Sequence, residues 1–177
     1  IGVKAPTAIR NIITRTDAGD PAIGRRDIFV LQCPDERAAL LMTFVRWFET
    51  GDRDAWFWPL QYSGRGLRWT RLDDRTFELE SLDAPFGRGA LERVFLTTLK
   101  PPSVGTIWRT PLLKATAIDV DSTGLRRVRF ELNRSLDDPS VRFVVAGNER
   151  FEPVTAPGVG LTVTVARHGS LRWLIGR

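Results

Sequence analysis

Turn signals that recur about every ten residues constrain the fold of this chain more than any other feature of its sequence. After Pro102, short segments rich in valine, threonine, leucine and phenylalanine are separated by clusters of glycine, aspartate, asparagine or proline. In residues 126–133, apolar side chains occupy the alternate positions Val128, Phe130 and Leu132. A period of two places these side chains on one face of a strand. Such spacing is typical of a β-sandwich or a β-barrel.

One segment, residues 35–50, predicts an α-helix instead. Asp35 can accept hydrogen bonds from the first free backbone amides of a helix. Gly51 can adopt the left-handed conformation that ends one. The apolar residues at helical spacing, which predict a single apolar face, are Leu41, Phe44, Val45 and Phe48.

The other segments of the N-terminal half are predicted to be strands. Ala8–Thr16 and Arg26–Gln32 contain the β-branched and aromatic residues that favour sheets. Ala55–Leu60 is apolar on both faces, and Pro59 has no N–H to donate, so this strand ends there or lies at a sheet edge. Leu91–Lys100 is compatible with a strand or a short helix, and its threonines and valine favour the strand.

The predicted fold class is therefore mainly β with one amphipathic helix, sandwich-like or barrel-like, and it allows two β subdomains. The sequence Pro101-Pro102-Ser103 is the best internal boundary, because consecutive prolines interrupt helices and sheets alike. It divides the chain into a β-rich region with one helix, residues 1–102, and an all-β region, residues 103–177. The last strand is expected at Leu171–Ile175.

The sequence offers little for metal binding or nucleophilic catalysis. One cysteine and one histidine exclude an internal disulfide and the ordinary zinc, haem and iron–sulfur sites. Cys33 is expected to be a small buried residue beside a strand end. His168 precedes a glycine in a predicted turn, where it has no nucleophile to serve. We therefore expect no cofactor, no metal and no catalytic residue.

The acidic residues are also better explained by turns than by catalysis. Asp73-Asp74 and Asp137-Asp138 fall between predicted strands, where aspartate commonly bonds its own backbone. Asp119–Gly124 resembles the start of a calcium-binding loop, but Phe130 occupies the position where such a loop needs a bidentate glutamate. No apolar run is long enough to cross a bilayer, so no membrane span is expected.

Arginine and tryptophan dominate the remaining signal. The formal net charge is +5, and the chain contains six tryptophans and ten phenylalanines. Aromatic rings and arginines are the residue types that anchor protein interfaces. The predicted interface residues are Trp47, Trp56, Trp58, Arg65, Arg68, Phe86, Arg88 and Trp108.

The order of elements around the helix carries a family resemblance. Predicted strands are followed by the helix Ala38–Glu49, a stop at Gly51 and the aromatic strand Ala55–Leu60. This order resembles the core of tailed-bacteriophage tail-tip proteins, namely distal tail proteins and minor tail proteins of the M type. In those proteins a helix of the form A-L-x-x-F-x-x-x-x-G precedes an apolar strand like F-x-W-x-P. The resemblance covers residues 9–100 and includes no catalytic motif.

The resemblance implies a non-enzymatic structural protein of the phage tail, found in the virion and assembled in the host cytoplasm. It implies a homo-oligomeric ring, commonly a hexamer, at the junction of tail tube and tip. Its expected partners are copies of itself, tube and hub proteins, and DNA that passes transiently through the channel.

Two other functions are compatible with the residues. A β module that binds carbohydrate or single-stranded nucleic acid would also combine aromatic rings with arginines, as residues 65–71 do. A hydrolase would need two carboxylates about 5–10 Å apart in a cleft.

Overall fold

A computed structural model of the chain describes residues 7–33, 36–62, 64–86 and 102–167. Within these ranges the protein is mainly β and sandwich-like, with two sheets, so the predicted fold class is confirmed. The strands expected at Leu91–Lys100 and Leu171–Ile175, together with Arg88 and His168, lie outside the described residues. Neither described α-helix is both long and apolar enough to cross a membrane.

The described elements are two α-helices and ten strands, with a short 3₁₀ turn at Pro21–Ile23. The helices are α1 (Thr7–Arg15) and α2 (Glu36–Thr50). The strands, in chain order, are β1 (Arg26–Val30), β2 (Ala55–Pro59), β3 (Leu67–Arg71), β4 (Thr76–Ser81), β5 (Ile107–Arg109), β6 (Leu113–Asp121), β7 (Gly124–Leu132), β8 (Val141–Ala146), β9 (Phe151–Val154) and β10 (Thr162–Val165).

These strands form two sheets. Sheet A has the order β2-β1-β8-β9, and sheet B has the order β10-β3-β4-β7-β6-β5. In sheet A, β1 pairs in parallel with both β2 and β8, whereas β9 is antiparallel to β8. All the described strand pairs of sheet B are antiparallel. The aromatic strand β2 lies at the edge of sheet A and ends at Pro59, as its sequence predicts.

The chain folds into two compact units that interleave along the sequence. Unit 1 contains the described residues up to Gly64 together with Pro139–Thr155, and unit 2 contains Arg65–Asp138 and Ala156–Arg167. This division differs from the boundary expected at Pro102. The reason is strand pairing over long sequence distances, because β8 returns to pair with β1 and β10 returns to pair with β3.

The first described element of unit 1 is a helix, so the prediction of a strand at Ala8–Thr16 is wrong. The β-branched residues of this segment favour strands, but burial on one helix face outweighs that preference. The buried residues are spaced as i, i+3, i+4 and i+7, namely Ile9, Ile12, Ile13 and Thr16. The three isoleucines belong to the core that unites α1 and α2 with sheet A.

Helix α2 confirms the helix predicted over 35–50, and Gly51 ends it with a φ of 73°. Its buried face differs from the predicted one. Of the predicted face, Leu41 is partly buried, whereas Phe44 and Phe48 are exposed. The residues that α2 buries against the core are mainly small, namely Ala38, Ala39, Met42 and Val45. The four-residue apolar pattern in the sequence therefore mixes two faces of the helix.

A buried ionic cluster ties both helices of unit 1 to β1. Asp52 accepts hydrogen bonds from Arg26 (Nη2–Oδ1 2.6 Å) and from Arg46 (Nη2–Oδ2 3.3 Å). The Arg26 side chain is 2% exposed, so its charge depends on protein partners. Arg46 Nη1 also donates to three carbonyl oxygens at the C-terminal end of α1, those of Ile13, Thr14 and Thr16. A cation at this end of a helix is favourable, because the exposed carbonyls are partly negative.

Sheet B of unit 2 has one apolar and one polar face. The apolar face is buried at its centre, where the ring of Phe77 packs against Trp69 and Phe130 at centroid distances of 6.2 and 5.1 Å. The polar face carries ion pairs between neighbouring strands, namely Arg68–Glu80, Glu78–Arg129 and Lys114–Glu131. This is the alternation that the sequence of residues 126–133 predicts.

Candidate assembly surfaces

Helix α2 presents a line of large apolar side chains to solvent. Leu40, Phe44 and Phe48 are 41, 54 and 85% exposed. They are spaced by four residues, so they lie along one side of the helix. A row of this kind on a described helix surface is unusual, because single exposed apolar residues are common but contiguous ones mark interaction sites.

Two of the predicted tryptophans lie beside this line. The ring of Trp47 meets Phe44 at 5.8 Å and Trp56, on the edge strand β2, at 4.9 Å, both edge to face. The guanidinium of Arg25 lies 4.8 Å from the Trp56 ring centroid, within the range of a cation–π contact. We name Leu40, Phe44, Trp47, Phe48 and Trp56 the α2 apolar surface. Geometry thus unites two of the predicted interface residues with three residues of α2 that the prediction did not include.

Trp58 is fixed rather than free. Its Nε1 donates to Oδ1 of Asp27 at 2.9 Å, and the Asp27 side chain is fully buried. Arg25 bonds the same carboxylate oxygen at 3.2 Å. The side chain of Trp58 is therefore held by Asp27 of the neighbouring strand β1.

Unit 1 closes the outer edge of β2. Alternate residues of an edge strand direct their N–H and C=O groups away from the sheet. Leu60 N–H donates to Val30 O at 2.9 Å, so the outward residues of β2 include Phe57 and Pro59. Phe57 N–H donates to the hydroxyl of Thr43 on α2 at 3.1 Å, and Pro59 has no N–H.

The same arrangement closes the opposite edge of sheet A at β9. Gly147 N–H donates to Arg150 O at 3.0 Å, which makes Phe151 and Pro153 the outward residues. Phe151 N–H donates to the hydroxyl of Thr16 at 3.1 Å, and Pro153 has no N–H. At β9 a threonine and a proline thus account for both outward residues. At β2 they account for two of the three outward residues, and the third, Ala55, is fully buried.

Sheet B is open at its β5 edge. Thr110 N–H donates to Leu113 O, and Ala117 N–H donates to Thr106 O, so Ile107 and Arg109 point their backbone groups away from β6. Within the described part of the chain, these outward N–H groups have no acceptor. The predicted interface residue Trp108 lies between them and is 40% exposed.

Sheet B is also open at its β10 edge. Arg71 N–H donates to Leu161 O at 3.1 Å, so Thr162 and Thr164 point outward. Among the described residues, their N–H groups have no acceptor either. Leu161 and Val163, at the same edge, are 61 and 41% exposed.

The other predicted interface residues of unit 2 contact their own chain. Arg65 Nη1 donates to Pro85 O at 3.3 Å, and Arg68 pairs with Glu80 at 2.7 Å. The backbone N–H of Phe86 donates to a carbonyl of β7 at 2.8 Å, and its side chain is half-buried. These three residues fix the loops and faces of unit 2.

The aromatic and basic residues of 65–71 do not form a stacking surface. Trp69 is 1% exposed, so its ring is out of reach of a nucleic-acid base. Arg71 is buried and donates two hydrogen bonds to Asp137, at 3.0 and 2.7 Å. The same contact holds the pKa of Asp137 below its ordinary value and raises that of Arg71.

The carboxylates of Asp73 and Asp121 accept hydrogen bonds from residues of their own turns. Arg75 N–H donates to Asp73 Oδ1 at 2.8 Å, which lowers the pKa of Asp73. Asp121 has a lowered pKa because the hydroxyl of Thr123 and the guanidinium of Arg126 both donate to it. No group of three metal-ligating side chains occurs in the described ranges.

The exposed apolar line on α2 and the open β5 and β10 edges of sheet B are not among the interaction sites predicted from the sequence. The spacing of Leu40, Phe44 and Phe48 by four residues is visible in the sequence, beside a second apolar stripe made of Ala38, Ala39, Met42 and Val45. Two stripes on one helix indicate two contacts. The open edges have no comparable local signal, because the position of a strand within a sheet depends on distant pairing.

Comparisons of the chain with protein-family models, with curated proteins and with solved structures found no match.

Proposed function

We propose that this chain is a non-enzymatic structural protein that works by assembling with copies of itself and with other proteins. The observation that carries the proposal is the line of Leu40, Phe44 and Phe48, which are exposed along α2. Burying an exposed phenylalanine or leucine side chain contributes about 1.5–3 kcal/mol. A line of three offers a partner a large gain in free energy.

The more specific proposal is a ring subunit of a phage tail tip, at the junction of tube and tip. It is supported by the order of α2, the Gly51 stop and the aromatic strand β2, which is the order that resembles distal tail proteins. The proposed partners are other subunits of a ring, which is commonly a hexamer in the proteins that the chain resembles, together with tube and hub proteins. DNA in the channel is a transient contact, and the virion tail is the proposed location.

Sedimentation velocity of the purified chain over a wide concentration range tests the assembly function. A discrete oligomer that persists at about 1 M salt supports it, since charge contacts are screened beyond about 3 Å there and apolar contacts are not. A monomer at every concentration, with no complex formed with purified tube or hub proteins, contradicts it. Electron microscopy of the oligomer then tests the ring directly.

The alternative binding functions predict different results in the same preparation. Single-stranded nucleic acid should bind with an affinity that falls steeply as salt rises. Carbohydrate should quench the fluorescence of exposed tryptophans, and the sedimentation of the chain should still be that of a monomer. Either result, obtained with a monomeric chain, favours the binding module over the assembly protein.

A further inference from the structure

We propose that copies of this chain join head to tail through sheet B, with β5 of one copy pairing against β10 of the next. The inference rests on the proposed assembly function, and it assigns the self-contact to two specific strand edges. The α2 apolar surface is then left for a different protein.

Strand direction fits this contact. Five antiparallel steps separate β10 from β5 in sheet B, so these two edge strands run in opposite directions. A second copy placed beside the first, with the same face up, therefore brings its β10 antiparallel to β5. The antiparallel alternation of the sheet continues across the joint.

The free backbone groups also match. The outward residues are Ile107 and Arg109 on β5 and Thr162 and Thr164 on β10, in each case two positions apart. In an antiparallel pair, Ile107 lies opposite Thr164 and Arg109 lies opposite Thr162. Each of these two pairs exchanges two backbone hydrogen bonds. The joint thus satisfies all four outward N–H groups.

The side chains fit in the same register, because Trp108 then lies opposite Val163. Both belong to the apolar face of sheet B, through the pairs Trp108–Ala115 and Val163–Trp69. Ala115 and Trp69 are 8 and 1% exposed, whereas Trp108 and Val163 at the two edges are 40 and 41% exposed. The joint brings the two exposed ends together and continues the apolar layer from one copy into the next.

Charge does not oppose the contact. Residues 159–165 carry no charged side chain, and the one charge on β5 is Arg109. Pairing β5 with β5 would instead bring two copies of Arg109 into a three-residue interface, and the β10 edges would then need a second, separate contact. A head-to-tail contact uses both edges, and repetition of it produces a closed ring or a filament.

Proline substitution at an outward position tests the backbone contact. Thr164→Pro and Ile107→Pro each remove an N–H that faces away from the sheet, so the bonds to β3 and β6 are kept. Each should weaken self-association by about fivefold, the effect of losing a hydrogen bond worth about 1 kcal/mol. Thr164→Val is the matched control, because it keeps the N–H and should associate like the original chain.

Cysteine cross-linking tests the register and stays informative if a proline variant fails to fold. A mixture of Arg109→Cys and Thr162→Cys chains should form a disulfide-linked dimer on mild oxidation, since paired residues lie about 5.5 Å apart between Cα atoms. Arg109→Cys mixed with Thr164→Cys should cross-link poorly, because diagonal neighbours lie about 7–8 Å apart. Cys33 is fully buried and should not compete.

Three outcomes separate this inference from the proposed function. Assembly that is lost in the proline variants, with the predicted cross-link, supports both. Assembly that survives both proline variants and gives no cross-link overturns the edge contact and leaves the assembly function standing. A chain that stays monomeric at every concentration, with no cross-link, overturns the edge contact and removes the self-assembly part of the function.

Discussion

The two units of this chain treat the edges of their sheets in opposite ways. In unit 1, Thr43 and Thr16 accept the outward N–H groups of Phe57 on β2 and Phe151 on β9. The other outward residues of these two edges are Pro59 and Pro153, which have no N–H, and Ala55, which is fully buried. In unit 2, the outward N–H groups of β5 and β10 are free among the described residues, and exposed apolar side chains flank them. Edge strands are usually blocked because they invite pairing with another chain. A chain that blocks one sheet at both edges and leaves the other open restricts edge pairing to the open one.

The largest expected effect is a loss of stability when the buried ionic cluster of unit 1 is removed. Asp52→Ala removes the carboxylate that pairs with buried Arg26 and with Arg46, and it should lower the free energy of unfolding by about 3–5 kcal/mol. Urea unfolding followed by circular dichroism measures this loss. Asp54→Ala, an exposed neighbour, should change stability by less than about 0.5 kcal/mol. Equal effects of the two variants would show that the ionic cluster does not hold the helices.

The next largest effect is expected when the acceptor at the β9 edge of sheet A is removed. Thr16→Val removes the hydroxyl that accepts Phe151 N–H in a buried site, and it should cost about 1–3 kcal/mol of stability. Hydrogen exchange of the Phe151 amide should accelerate at the same time. Thr16→Ser keeps the hydroxyl and should retain the protection of this amide. Unchanged exchange in the valine variant would mean that the threonine does not close the edge.

A smaller effect concerns acid stability of unit 2. The Arg71 contact lowers the pKa of Asp137 from its ordinary value of 3.8, so ionised Asp137 stabilises the fold. This contribution is complete above the unfolded pKa and is lost as pH falls through the lowered folded pKa. Asp137→Asn should therefore reduce stability near neutral pH and flatten its decline below about pH 4. Thermal unfolding between neutral pH and strong acid measures the two slopes, and parallel slopes would contradict the role of this pair.

The smallest effect on stability sharpens the distinction between core and surface. Phe48→Ser replaces a ring that is 85% exposed, so the free energy of unfolding should change by less than about 0.5 kcal/mol. Phe57→Ala, at a position 6% exposed, should cost about 3–5 kcal/mol. Binding of a tube or hub protein to the α2 apolar surface should weaken in Phe48→Ser, although this variant remains folded. A large loss of stability on Phe48→Ser would place that ring in the core.

Local patterns predicted the elements better than they predicted their arrangement. The helix ended by Gly51, the strand ended by Pro59 and the alternation at Val128, Phe130 and Leu132 all follow from short-range rules. The β-branched isoleucines of α1 favour a strand by propensity, whereas their spacing is that of one helix face. The interleaved units could not be predicted, since no local signal states that β8 pairs with β1.

For the candidate surfaces too, the residue types are predictable from the sequence, whereas their arrangement is not. Trp47 and Trp56 were predicted from composition, and they contact each other at 4.9 Å. Trp108 was predicted as well, but the significance of its position depends on the free backbone beside it. That freedom is a property of sheet order, which the residue types alone do not determine.

The interleaving of the units also has a consequence for synthesis on the ribosome. Strand β1 acquires its second neighbour only when β8 emerges, and the chain from β3 to β7 is translated in between. The antiparallel neighbours β3–β4 and β6–β7 are close in sequence and can pair early, whereas the parallel core of unit 1 must wait, because distant contacts form slowly. A nascent chain that stalls before Val141 would leave one side of β1 unpaired and the core incomplete.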